Sequence, residues 1–300
     1  MSDVCYQCIS FTADRKLLID TLPVVGTEAA IDALHDIIKA EPAIIREYTS
    51  YIFTGLAFPI APTKEYVRRA KILMEDPIVQ NYYPARRAAL LAYGGIVHNY
   101  CHNKTKCSPE LNEFLIVKYN NAPNDTEREF VLKAMGNAGM GVDVAQFIRK
   151  LFKQPEKMSI RIQVAALQAL RRLALTDPVR LRAILLPIYL DPYYDPEVRI
   201  TTCKLLFDTN PSVVTLTMLA QQLNTESSNQ VVSFVYSHLS ALANSTAPVN
   251  LPLARAAKMA LHFARLRPGL TYRYSKAYHV SAYYECGPVS RRAQEVVQHL

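Results

Sequence analysis

Apolar residues recur along the chain at helical spacing, in stretches that prolines separate. In the segment 27–40, Ala30, Leu34 and Ile37 fall on one face of a helix, and Thr27 is a residue type that caps helix N-termini. Proline lacks an N–H and is tolerated best between helices or in their first turn. The pattern predicts further helices over 43–56, 64–74, 85–100, 111–119, 126–136, 142–152, 159–175, 178–190, 196–207, 211–223, 228–243 and 251–266. No block of strands interrupts this series, so the sequence predicts an all-α fold.

A weak internal repeat runs through these helices. Arg161 and Arg199 each precede an isoleucine and then small and apolar residues, and they lie 199 − 161 = 38 positions apart. Looser copies begin at Arg86 and Arg128. A period of about 35–45 residues with two helices in each repeat is typical of an α-solenoid, in which each helix pair packs against its neighbours. The alternative is an irregular all-α bundle.

Composition limits the class of protein without naming its task. The 300 residues are half apolar, which excludes a disordered chain. Only 9 are Gly, which argues against Gly-rich nucleotide loops and turn-dense β folds. No apolar run reaches the roughly 18–20 residues of a membrane span, and the first residues lack the pattern of a signal peptide. The formal charge of +8 is modest.

Two cysteines bracket a short polar loop. Cys101 and Cys107 can close a small disulfide ring if the chain doubles back, or remain two reduced thiols at a helix end. His98 and His102 stand beside them, so a zinc site of two His and two Cys is conceivable, although the spacing fits no standard zinc finger. We therefore predict no metal site.

The other cysteines and the sequons carry weaker signals. A lone CxxC, Cys5 and Cys8, lies in a segment we expect to be frayed, and Cys203 is expected to be a small core residue. The N-x-[S/T] sequons at Asn103, Asn124 and Asn244 all fall in predicted loops. Together with Cys101 and Cys107 they favour a protein with a secretory history.

No catalytic constellation emerges from the sequence. The histidines have no patterned Ser or Cys nucleophile nearby, and neither an HExxH motif nor a phosphate loop is present. We therefore predict no enzyme, no catalytic residue and no cofactor-binding residue. Pairs of arginines would suit a nucleic-acid groove, but solvated helix faces and ion pairs between repeats are the simpler explanation. These pairs are Arg68-Arg69, Arg86-Arg87, Arg171-Arg172 and Arg291-Arg292.

The pattern of residue types changes near the end of the chain. The segment 272–284 alternates aromatic and cationic residues and reads as a first β-strand, or else as a basic aromatic surface. After it, 285–300 reads as a short amphipathic helix unrelated to the preceding pattern.

Several segments resemble one family. The segment 132–139 (LKAMGNAG) resembles a characteristic "LKALGNAG" helix end, and 230–238 (QVVSFVYSH) is similar to "QVASFVYSH". The segments 185–200 and 270–280 resemble "LPI(F/Y)…PE(V/L)RI" and "YRYSKxxHV", and 20–27 is similar to "DALPLxGT". These are motifs of vitellogenins, members of the large lipid transfer proteins. The forms of egg-laying vertebrates match best, and the resemblance covers roughly residues 14–284.

The resemblance implies a lipid transport and yolk nutrient-reservoir protein. In this family the region is a double-layered α-helical horseshoe that follows a β-barrel and wraps the β-sheets of a lipid cavity. It implies a disulfide between Cys101 and Cys107, bound phospholipid and neutral lipid, secretion, and dimerisation as family members show. It implies no catalytic residue and no nucleic-acid partner.

The resemblance also sets the expected domain boundaries. We expect a frayed segment over 1–12, a vitellogenin-type superhelical domain over 13–268, the start of a β-sheet region over 269–284 and a divergent tail over 285–300. The receptor-binding barrel and the lipid-cavity sheets are expected to be absent from this chain. The alternatives are a free-standing α-solenoid that binds a protein or nucleic acid, and a subunit of the microsomal triglyceride transfer type.

Overall fold

Helices follow one another through residues 12–102, 107–139 and 141–265, which the computed structural model describes, and no strand occurs among these residues. The first helices are α1 (Thr12–Val25), α2 (Glu28–Ala40), α3 (Ala43–Leu56), α4 (Lys64–Glu75), α5 (Pro77–Asn81), α6 (Tyr83–Cys101), α7 (Pro109–Asn120) and α8 (Asp125–Ala138). The others are α9 (Gly141–Leu151), α10 (Ile160–Ala169), α11 (Leu173–Thr176), α12 (Pro178–Leu190), α13 (Pro196–Asp208), α14 (Val213–Gln222), α15 (Asn229–Ala243) and α16 (Leu251–Leu261). Short 3-10 helices cover Pro155–Lys157 and Pro248–Asn250.

The helix boundaries follow the capping chemistry that the sequence predicts. The Thr27 hydroxyl accepts a hydrogen bond from the Ala30 N–H, at 3.3 Å, and begins α2 as predicted. The Asp177 carboxylate accepts one from the Arg180 N–H at 3.1 Å and begins α12. These side chains satisfy N–H groups that have no partner inside the helix. The predicted bounds of α3 and α12 are confirmed.

Some predicted elements were wrong or missed. Helix α1 was not predicted, because Pro23 in its last turn reads as a breaker; α5 was also missed. The predicted helix 251–266 ends at Leu261. The predicted strand and tail, 269–284 and 285–300, lie outside the described residues, as do residues 1–11.

The predicted single helix over 159–175 is interrupted by a turn between Ala169 and Leu173. The Leu170 and Leu173 N–H groups bond to carbonyls three residues back, each at 2.9 Å. Both leucine side chains are buried. The turn also carries Arg171 towards α8, so a tertiary contact accompanies the break in local periodicity.

The described chain divides into two compact units, which we call unit 1 (residues up to Thr176) and unit 2 (residues from Asp177). In unit 1, α1, α3, α6, α8 and α10 pack in succession and form a first layer. The alternate helices form a second layer, in which α2 packs on α4 and α7 on α9. Each repeat therefore places one helix in each layer, which is the arrangement of an α-solenoid.

The residues of the motif at the end of α8 have packing roles. Asn137 donates to the Leu91 carbonyl of α6 at 3.3 Å and accepts from Arg171 Nη2 at 2.6 Å. A side chain at Gly136 would overlap the Arg171 guanidinium. Gly139 ends the helix with φ +65°, a left-handed conformation that favours glycine. These residues tie successive helices of the first layer together.

Unit 2 by itself also has two layers, a first of α13 and α15 and a second of α12, α14 and α16. Helix α13 packs on α15, and α14 on α16. The Tyr189 hydroxyl of α12 donates to the Leu219 carbonyl of α14 at 3.4 Å. Between the layers lies a buried ion pair, Arg199 with Glu226, which sequence reasoning missed.

Candidate functional surfaces

The second layer of unit 2 exposes apolar side chains. Val179 of α12 is 68% exposed, Val214 of α14 65% and Met259 of α16 59%. Further exposed apolar residues on these helices or directly after α16 are Met218, Leu251 and Phe263. None of the helices α12, α14 and α16 contains Asp or Glu; α12 and α16 contain basic residues, and α14 has no charged residue. We call this surface, defined by Val179, Val214, Met218, Met259 and Phe263, the apolar face of unit 2.

The corresponding helices of unit 1 expose mainly charged side chains. Exposed positions of α2, α4, α7 and α9 include Asp32, Asp36, Arg68, Glu110, Glu113 and Arg149. A surface helix buries one apolar stripe and keeps polar residues on the opposite face. The second-layer helices of unit 1 follow that rule except at Ile72 and Val117, whereas α12 and α14 carry apolar residues on both faces. An exposed apolar surface of this kind usually marks a contact with a partner or a lipid.

The cysteine pair forms a disulfide in the structure. Cys101 at the end of α6 is bonded to Cys107, with their Cα atoms 5.4 Å apart. With both sulfur atoms in this bond, the zinc alternative would lack its two Cys ligands. The neighbouring His98 and His102 rings lie 5.5 Å apart, and within the described ranges no cluster of three or more metal-ligating side chains occurs. Burial and the nearby Arg172 guanidinium lower the pKa of His98.

The remaining cysteine and sequon predictions have different outcomes. Cys203 is a fully buried free thiol whose pKa is raised by burial, so its assignment to the core is confirmed. Cys5, Cys8 and Asn103 lie outside the described residues. Asn124 and Asn244 are exposed, the first as the N-cap of α8 and the second at the end of α15. Their use as glycosylation sites stays a prediction.

We expect the free energy of unfolding of the Cys101→Ser, Cys107→Ser double variant to be about 2 kcal/mol lower than that of the unaltered chain. The bond closes a loop between residues six positions apart and restricts the unfolded chain. Urea unfolding followed by circular dichroism measures the difference. Adding a thiol reductant should remove it by destabilising only the unaltered chain. Equal stability of the two proteins without reductant would contradict the prediction.

The paired arginines within the described ranges take part in contacts inside unit 1. Arg69 pairs with Asp32 of α2, and Arg86 and Arg87 lie near Glu127 of α8. Ion pairs between helices therefore account for Arg69, Arg86 and Arg87, as the simpler explanation predicted. The pair Arg291-Arg292 lies outside the described residues. Within the described ranges, none of the helices combines the length and apolar content needed to cross a membrane.

Comparison with known proteins places the chain in a family. Residues 2–240 match a family model described as the Vitellogenin TPR domain. The chain belongs to the vitellogenin family. The resemblance seen in its sequence is thus confirmed.

Two vitellogenins illustrate the relationship. That of Ichthyomyzon unicuspis is 32% identical over 276 residues, which is 90% of this chain and 15% of the relative. Vitellogenin-A2 of Xenopus laevis is 32% identical over 283 residues, which is 91% of this chain and 16% of the relative. The chain thus spans about a sixth of the length of the vitellogenins it matches.

A solved structure of lipovitellin, reported for its lipid–protein interactions, superimposes with a TM-score of 0.85. The match covers 94% of this chain and 30% of lipovitellin, at 30% sequence identity. Together with the described helices, it confirms the prediction of an all-α superhelical fold.

Proposed function

We propose that this chain is the helical scaffold of a lipid-transport and yolk-storage carrier. The observation that carries the proposal is the match to lipovitellin over 94% of the chain. Membership of the vitellogenin family and the apolar face of unit 2 support it. The work of such a scaffold is mechanical, because it braces a lipid compartment and performs no reaction.

In this proposal the apolar face of unit 2 packs against the β-sheets or the lipid of the complete carrier. Burial of apolar surface contributes about 25 cal/mol per Å², without specific ligating groups. Lipid is therefore retained by contact area, and neither a cofactor nor a catalytic residue is required. The bound species would be phospholipid and neutral lipid.

Secretion is part of the same proposal. A disulfide is typical of oxidising compartments, and Cys101 and Cys107 form one. The exposed side chains of Asn124 and Asn244 would be accessible to a glycosyltransferase. The test is to produce the protein in a secreting cell and to treat it with a glycosidase. A decrease in its mass would show that glycans were attached.

We expect the 300-residue chain to enhance the fluorescence of an apolar dye such as bis-ANS and to copurify with lipid. The Val214→Gln, Met218→Gln double variant should reduce the dye signal by about half, because it replaces two of the three exposed apolar residues of α14, Val213 being the third. The matched control is Leu17→Gln, Ile72→Gln in unit 1, since Leu17 (62% exposed) and Ile72 (45%) are as exposed as Val214 (65%) and Met218 (38%). This control should change the signal little.

Two outcomes would overturn the proposal. One is a monodisperse chain that binds neither dye nor lipid, as judged by light scattering and by mass spectrometry of an organic extract. The other is tight nucleic-acid binding that falls steeply with salt, which would favour the free-standing solenoid instead.

A further inference from the structure

A cleft lies between the second-layer helices α4 and α7 of unit 1. Its volume is about 430 Å³, within the range of roughly 300–1,000 Å³ that small-molecule sites occupy. Helices α4 and α7 are bridged here by long side chains, with Lys118 Nζ 3.3 Å from a Glu75 carboxylate oxygen. Glu75, Asn121 and Pro123 are exposed, so the rim of the cleft reaches the surface of the protein.

The wall of the cleft is mainly apolar. Met74 of α4, Leu90 of α6 and Val131 of α8 are buried residues that line it. Phe114 and Val117 of α7 line it from the other side. These side chains come from four helices, so the cleft belongs to the packed structure of unit 1. An unbranched apolar chain entering it would exchange water for contacts with them.

Polar groups stand at one end of the cleft. Arg86 of α6 and Glu127 of α8 line it, and Arg86 Nη2 lies 3.4 Å from a Glu127 carboxylate oxygen. Arg87 Nε lies 3.7 Å from the same oxygen. Two guanidinium groups thus face one carboxylate, while Glu75 and Lys118 balance each other at the rim. The polar end carries one uncompensated positive charge.

Some polar atoms at this end are buried without a hydrogen-bond partner among the described residues. They include Arg86 Nε and the Glu127 Oε1 atom. Arg87 Nε and Nη2 are also buried without a hydrogen-bond partner. The Arg87 guanidinium lies between the rings of Tyr83 and Phe130, at 3.6 and 4.0 Å from their centroids. Buried donors are almost always paired, so unpaired ones indicate a water, an ion or a ligand that completes them.

We propose that this cleft binds one long-chain fatty acid. The carboxylate pairs with the partly exposed Arg86 guanidinium and neutralises the excess positive charge, and the acyl chain lies along Met74, Leu90, Phe114 and Val131. A single chain suits the volume, whereas a two-chain lipid requires more space. The site is separate from the apolar face of unit 2 and holds independently of the function proposed above.

Titration of the 300-residue chain with oleate, below its micelle concentration, tests the proposal by isothermal calorimetry. We expect saturable binding of one oleate for each chain. Arg86→Gln should weaken it about tenfold or more, which is the size of a lost charge-assisted hydrogen bond. Methyl oleate has no charge and should bind weakly to both proteins. The matched control is Arg128→Gln, which removes the same charge from a surface pair with Asp125 and should leave oleate binding unchanged.

A second variant keeps the test decisive if Arg86→Gln fails to fold, as judged by thermal unfolding. Val117→Trp places a large ring at the partly exposed edge of the cleft and should abolish oleate binding while the helix content stays constant. Absence of saturable binding in the unaltered chain would overturn the proposal and leave water as the partner of the buried groups. Equal weakening by Arg128→Gln would overturn it too, because it would indicate a general charge effect. Neither result would alter dye binding to the apolar face of unit 2, which tests the proposed function separately.

Discussion

Replacing Glu226 by Ala will lower the free energy of unfolding by about 3–5 kcal/mol, because it leaves a buried guanidinium without its counter-ion. The side chains of Arg199 and Glu226 are only 2% and 1% exposed. Arg199 Nη1 donates to Glu226 Oε1 at 2.9 Å, Nη2 donates to Oε2, and Nε donates to the Tyr189 carbonyl at 3.0 Å. Urea unfolding at neutral pH measures the loss.

The same pair makes stability depend on pH. Burial would raise the pKa of Glu226, but hydrogen bonds from Arg199 and from the Ser228 N–H outweigh it and lower the pKa below 4.5, its ordinary value. A depressed folded-state pKa contributes stability that is complete above pH 4.5 and is lost as pH falls through the lower folded-state value. The Glu226→Gln variant should therefore lose less stability than the unaltered chain on acidification.

Arg161 offers a matched control for Arg199, since both begin the same repeated motif. The Arg161 side chain is 58% exposed and pairs with Glu129, which also pairs with Lys133. Arg161→Met should cost less than about 1 kcal/mol, as exposed ion pairs do. The double variant Arg199→Met, Glu226→Leu should recover much of the loss seen with Glu226→Ala, because no charge stays buried. Similar losses for Arg161→Met and Glu226→Ala would contradict the assignment.

Gly94→Ala will destabilise the chain by about 3 kcal/mol, because α6 and α8 touch at this residue. A Cβ atom at Gly94 would overlap the carbonyl oxygen of Ala134 and lie 2.9 Å from Asn137 Cβ. The first of these is a backbone atom in a helix, so it can move only if α8 shifts away from α6. Thermal and urea unfolding measure the effect.

The adjacent glycine isolates the cause. A Cβ at Gly95 would meet only Ala57 Cβ, at 3.2 Å. Both substitutions gain the same helix propensity, about 1 kcal/mol in favour of Ala. Gly95→Ala should therefore be neutral or slightly stabilising. If both variants lost the same stability, the contact between α6 and α8 would not be the reason.

The spacing of the cysteine pair identified a candidate site but left its chemistry open, and only the family resemblance implied a disulfide. Spacing allowed a disulfide, free thiols or, with His98 and His102, a zinc site. Only the folded chain shows the sulfur atoms of Cys101 and Cys107 bonded. The cleft at Arg86 and Glu127 was not predicted at all, because its walls come from α4, α6, α7 and α8, and no local pattern joins them.

Local physics let the sequence alone determine most of the helices of this protein, and its motifs already indicated the vitellogenin family, which the family model confirms. Apolar periodicity, caps such as Thr27 and proline positions depend on residues within one or two turns, so they can be read along the chain. Only the tertiary structure decided which contacts are made by residues that occupy equivalent positions in the sequence pattern. Arg199 is buried because it pairs with Glu226, which is 27 positions further along the chain. Arg161, which begins the other copy of the repeated motif, stays at the surface. Gly94 leaves no space for a Cβ atom and Gly95 does, because the backbone of α8 lies against only the first of them. Long-range packing of this kind leaves no local pattern in a sequence.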